Sequence, residues 1–220
     1  MKKSFIALVA VCAAMFALPG VASAGTWHTG PLPLTFTASG GTSELLTLNA
    51  DHTVASRVHC TSNSASGAYE TTTTGTATIT FKGCTTSEGG GGVACTTNGQ
   101  ASGTIVTTAL TFHNVMIHAN VPGILMTPNA ETGVFAHFVC GFIIPVTVEG
   151  NGVIGTITTA CGTETSSTEL KFGATATNTQ QHTQITTTGT VYNLTKGGAK
   201  STQISTSKLT LSKKSKVECT

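Results

Sequence analysis

The stretch Thr76-Ala77-Thr78-Ile79-Thr80-Phe81-Lys82 decides how the chain is to be read. Ala77, Ile79 and Phe81 occupy every second position, with Thr76, Thr78, Thr80 and Lys82 between them. A period of two puts the apolar set on one face of a strand and the polar set on the other. The segment therefore predicts a half-buried β-strand. Outward from it, SELLTLN, TVASRVHC, GTIVTTALTF, VFAHFVC, IIPVTVE, VIGTITTAC, TELKFGA, TQITTTGTVYNLT and TQISTSKLTL alternate in the same way with varying clarity. Pro122-Gly123 and Asn151-Gly152 are turn pairs, and no segment beyond the N-terminal region combines helical periodicity with caps. Many short strands between turns predict an all-β fold, an antiparallel sandwich or barrel.

The composition agrees. The 220 residues include 45 threonines, whose β-branched side chains favour strands, so the scarcity of charge does not signal disorder. Met1 to Ala24 has two lysines, an apolar run from Phe5 to Leu18, a Pro19-Gly20 break and Ala22-Ser23-Ala24, the layout of a secretory signal peptide. The apolar run is short for a membrane span, and Val11 disfavours a lipid anchor on Cys12. The expected organisation is a signal peptide over 1–24, one β-domain over 25–205 and a basic C-terminal tail over 206–220, which gathers Lys208, Lys213, Lys214 and Lys216. Loss of Lys2 and Lys3 from the 11 Lys+Arg leaves nine, against 9 Asp+Glu. A neutral mature chain offers no electrostatic footprint for nucleic acid or an anionic membrane. The expected location is extracellular or in the cell envelope, without transmembrane anchoring.

Six cysteines remain after Cys12: Cys60, Cys84, Cys95, Cys140, Cys161 and Cys219. An even number in an exported chain reads as disulfides, with 15 connectivities open to six cysteines. Three bridges are expected. Cys84–Cys95 would clamp the neck of the glycine loop in GCTTSEGGGGVAC. Cys140–Cys161 would follow from a hairpin turning at Gly150-Asn151, with Val148 opposite Val153 and Ile144 opposite Ile157, although Pro145 then interrupts the ladder; a turn at Asn151-Gly152 suits Pro145 better but moves the two cysteines off the direct pairing. Cys60–Cys219 remains by elimination and would pin the basic tail.

Catalytic patterns are sparse. No helix signal follows the glycine run, KGGAKST lacks the glycines of a phosphate loop, and Asp51 is the one aspartate. Ser205-Thr206-Ser207-Lys208 matches S-x-x-K, but strand residues three apart point to opposite faces. Odd spacings separate His52 from His59 and His113 from His118, so neither pair converges on a continuous strand. Neither cofactor nor metal is expected. Glu131, Glu149 and Glu164 are carboxylates whose proximity only the fold can decide.

The segments GTATITFKGC, VACTTNGQASGTIVTTAL and FAHFVCG resemble a group of secreted, β-rich, cysteine-containing actinobacterial proteins of uncharacterised function. The resemblance runs roughly from Thr74 to Cys161; it implies export and a disulfide-bonded β-domain and transfers no activity. The function expected from the sequence is a non-enzymatic domain for surface interaction or adhesion, with cell-surface or matrix components as partners. The alternative is a secreted glycan-binding or glycan-active protein.

Overall fold

The computed structural model describes residues 26–29, 32–88, 91–128, 132–141, 143–185 and 189–219. The expected signal peptide, Gly25 and Glu131 lie outside them.

The described residues form sixteen β-strands and no helix. Two strands are long: β2 (Leu34–Leu48) and β16 (Ala199–Glu218), which pair antiparallel from Phe36↔Leu211 to Thr47↔Ser201. Two rings of strands begin and end on this pair. One passes from β2 through β4 (Ser62–Tyr69), β5 (Thr74–Lys82), β9 (Leu110–His118), β10 (Val121–Thr127), β13 (Val153–Ile157) and β14 (Glu164–Phe172) to β16. The other passes from β2 through β3 (Val54–Cys60), β6 (Thr85–Thr86), β7 (Val93–Thr96), β11 (Val134–Cys140), β12 (Ile144–Gly150) and β15 (Leu194–Lys196) to β16. Additionally, β1 (Thr26–Thr29) pairs with the end of β16, and β8 (Ile105–Val106) with β5. Closure removes the exposed edges that an open sheet would present.

The rings are two tiers of one barrel, because most strands run through both. The β4–β5 register, Tyr69↔Gly75 to Ser62↔Lys82, continues without a slip into His59↔Thr85 and Val58↔Thr86. Residues 54–69 and 74–86 are thus two long bent strands. Threonines bond where the strands bend or reverse: the Thr97 hydroxyl accepts from the Val106 N–H at 3.0 Å, and Thr107 from the Ile79 N–H at 3.0 Å. In the β4–β5 turn, the Thr71 hydroxyl accepts from the N–H groups of Thr73 and Thr74. Such local side-chain acceptors replace missing ladder partners.

Three expectations change. Gly150-Asn151 is not a hairpin turn: β12 pairs with β11 and β15, while β13 pairs with β10 and β14. The chain continues from one tier to the next there. The Asn151 side chain donates to the Val191 carbonyl at 2.9 Å and accepts from the Asn193 N–H at 2.8 Å, so it stitches this junction to residues 191–193. Gly150 has φ 150°, and a Cβ on it would meet the Asn193 carbonyl at 2.1 Å. Pro145 is tolerated because β15 reaches only Val148–Gly150, leaving that side of the proline unpaired. Secondly, residues 206–218 are no tail but the second half of β16, paired with β2, β14 and β1. Thirdly, the described residues of TQITTTGTVYNLT yield only the start of β15 and the bridge Gln184↔Val191. The described parts of residues 173–193 strap the outside of the barrel, where Ile185 and Tyr192 pack with Val115, Ile117, Leu125 and Ile154.

Candidate functional site

All six cysteines are bridged, in a pattern different from the expected one: Cys60–Cys84, Cys95–Cys140 and Cys161–Cys219. The first four stand in one row across adjacent strands. Cys60 lies opposite Cys84 in the β3–β6 register, the Cys95 N–H donates to the Cys84 carbonyl at 2.9 Å, and Cys140 lies opposite Cys95. Antiparallel pairing makes each residue a hydrogen-bonded partner on one side and a closer, non-bonded partner on the other. Cys84 and Cys95 share the wider, hydrogen-bonded relation, so each turns to its other neighbour, with Cα–Cα separations of 3.9 Å. A Cys84–Cys95 bridge would leave Cys60 and Cys140 unpaired at the two ends of the row. Cys161 meets Cys219 instead of Cys140 because β13 leaves β12's neighbours and runs beside β14, whose start lies against the end of β16.

The glycine loop is therefore not clamped at its neck by a bridge of its own. Ser87 exchanges backbone and side-chain bonds with Arg57, and Lys196 Nζ contacts Glu88 Oε1 at 2.5 Å and Ser56 Oγ at 2.9 Å. The hydrogen bond from Lys196, followed by that from Ser56, holds the Glu88 carboxyl below its ordinary range. Beyond Glu88, Cβ atoms added at Gly91 and Gly92 would meet nothing. The described part of this loop forms no enclosure.

Titratable groups are dispersed. Glu149 is the penultimate residue of β12 and Glu164 begins β14, both exposed. Glu44 faces Arg57 and His59 at 3.5 and 3.4 Å. Burial lowers the imidazole pKa of His113, and burial followed by the neighbouring His118 lowers that of His182. The described residues contain no group of three His, Cys, Asp or Glu able to hold a metal, and no helix long and apolar enough to cross a membrane. Ser205 and Lys208 do take opposite faces, Ser205 buried and Lys208 exposed.

A concave feature formed by the described residues is the barrel lumen. It holds a cavity of about 110 Å³ that is partly open to solvent. Eight-stranded barrels have interiors that side chains can just fill or that hold one small ligand; this one is incompletely filled. Its wall is apolar over most of the circumference: Phe36, Leu45, Ile79, Phe81, Leu110 and Phe135 are among the lining residues. Ile79 and Phe81 share the inward face with buried Ala77, yet both keep accessible surface because they border the cavity. Phe36, Tyr69 and Phe112 pack edge to face, with Phe36–Phe112 and Tyr69–Phe112 centroids 5.5 and 4.8 Å apart. Burial pushes the Tyr69 phenol pKa up, and its hydroxyl donates to Asn114 Oδ1 at 3.4 Å.

One sector of the wall is polar. Ser43, Asn63, Gln203, Ser205 and Ser207 line it from the adjacent strands β2, β4 and β16. Asn63 is saturated: its amide donates to the Gly41 carbonyl at 3.1 Å and Ser43 Oγ at 2.8 Å, and its carbonyl accepts from Ser207 Oγ at 2.5 Å. Sequence alternation contained a trace of this sector. Gln203, Ser205 and Ser207 have the same parity as the core residues Leu209 and Leu211, but the opposite face of β16 is also hydroxyl-rich. Comparison with known family models, curated proteins and solved structures finds no match to this chain. The fold and site define an antiparallel barrel with a partly empty, mostly apolar lumen.

Proposed function

We propose that the protein is a non-enzymatic carrier or sensor that encloses a small, largely apolar molecule in its lumen. The observation that carries this reading is the unfilled space itself, bounded by apolar side chains on nearly every strand of the barrel. Binding pockets are typically concave, mostly apolar and furnished with a few placed polar groups, which describes this lumen and its single polar sector. Three disulfides fit an oxidising compartment. The surface-interaction role expected from the sequence becomes, on this reading, binding through the interior.

The test is titration of the oxidised protein with a neutral, environment-sensitive naphthylamine fluorophore, beside a variant that fills the lumen. Ala65 lines the cavity and is only partly buried, so Ala65→Phe has room for its ring. The expected result is one saturable site in the wild type, weakened at least tenfold in Ala65→Phe with an unchanged far-UV spectrum. Absent binding, or equal binding by both proteins, would place any ligand elsewhere.

A further inference from the structure

We infer that the lumen selects an uncharged, elongated ligand with one hydrogen-bond acceptor, an ester or ketone carbonyl, which Ser43 and Ser205 grip at the β2–β16 wall. This inference rests on the lumen reading above and adds the chemical class. Ser43 and Ser205 are opposed across the β2–β16 ladder, 2% and 8% exposed, and both line the cavity. Their hydroxyls are not equivalent to that of Ser207. Ser207 spends its proton on Asn63 Oδ1, while Asn63 Nδ2 donates to Ser43 Oγ and leaves the Ser43 proton available. Ser205, on the same face of β16 as Ser207, lines the cavity, and no other side chain among the described residues takes its hydroxyl proton. Each hydroxyl has a proton to give, and a ligand oxygen between these two would accept from both.

Charge decides against an ionised head group. Among the described residues, Glu44 is the one charged residue lining the cavity, no cation lines it, and the Glu44 carboxylate faces Arg57 and His59. A carboxylate enclosed here would lose its hydration without gaining a counter-charge. Shape follows from the wall. The lining runs along β16 from Gln203 to Leu209, about 20 Å of strand at roughly 3.3 Å per residue, or about 15 Å along the axis at a typical barrel tilt. An acyl chain of roughly a dozen carbons fits that length.

Isothermal titration with dodecane, methyl undecanoate and dodecanoate at pH 8 tests the inference on the full oxidised chain. The ester is expected to bind about five- to tenfold tighter than the alkane, a ratio characteristic of about one net hydrogen bond. Dodecanoate is expected to bind at least tenfold more weakly than the ester. In Ser43→Ala/Ser205→Ala the ester's advantage should shrink to within about twofold while alkane affinity is retained, which also reports that the barrel is intact. Ser205→Thr, keeping the hydroxyl, should restore most of the preference in a Ser43 background. Equal binding of ester and alkane by the wild type, tighter binding of the carboxylate, or an undiminished preference in the double variant would overturn the inference and leave the lumen reading standing. Failure of all three probes to bind would overturn both.

Discussion

Replacing Cys60 and Cys84 together by alanine tests the cysteine row with a calculable effect. The bridge closes a loop across 24 residues of sequence separation. In the chain-entropy treatment its removal relaxes the unfolded state by about 3.5 kcal/mol at room temperature; Cys95–Cys140, with a separation of 45, gives about 4 kcal/mol. For a chain of this size, a urea slope of roughly 2–3 kcal/mol per molar converts the first figure to a midpoint lowered by about 1–2 M. The double variant should retain the Cys95–Cys140 and Cys161–Cys219 bridges in non-reducing peptide maps, because β7–β11 and β14–β16 contacts do not depend on it. The single variant Cys60→Ala is sharper still, since Cys84 becomes the lone thiol and, being fully buried, reacts only after denaturation. Finding Cys84 joined to Cys95 in the wild type, or an unchanged urea midpoint in the double variant, would refute the alternation of close and wide pairs on which the row rests.

Lys196→Met removes a nearly buried ammonium while leaving Glu88 one-third exposed, so unfolding free energy should fall by about 1–2 kcal/mol, read from urea melts. Stability should also decline on acidification in two stages. His113 and His182 have lowered pKa values, so the unfolded chain binds protons first as pH drops below about 6.5, and their contribution is lost as pH falls through the folded values. Glu88, also lowered, adds loss of stability below about pH 4.5, alongside Asp51, whose carboxyl the Thr53 hydroxyl and N–H hold below its ordinary range; thermal melts at stepped pH in Lys196→Met should shrink that lower stage and leave the upper one unchanged. Gly150→Ala should cost more than about 1 kcal/mol because its Cβ would displace the Asn193 backbone, with faster proteolysis of the 173–193 strap as the accompanying readout.

The sequence made the local face of each strand legible and left the neighbours of each strand hidden. Ala77, Ile79 and Phe81 do share the inward face, because a period of two is fixed by backbone geometry alone. Disulfide partners depend on which strands adjoin, and the expected hairpin at Gly150-Asn151 supplied the wrong neighbours for Cys140 and Cys161. The turn residues there are real but serve a junction between tiers, where Asn151 bonds the strap from 40 residues away in sequence. The basic end of the chain looked detachable because its four lysines sit on alternate or solvent-facing positions of a strand whose other face is Leu209, Leu211 and Val217. Ser205 was legible as part of a failed catalytic pattern and, faintly, through its parity with Leu209 and Leu211. Its inward direction became meaningful once Ser43 was found opposite it, a relation between residues 162 positions apart that no local pattern encodes.

Xenon at pressure in a crystal of the oxidised protein probes the lumen itself, since xenon enters apolar cavities and is located by its anomalous scattering. A peak inside the barrel, in contact with Ile79, Phe81, Leu110 and Phe135, is the predicted result. A closed ring of strands with those side chains collapsed into the space, and no xenon among them, would contradict it.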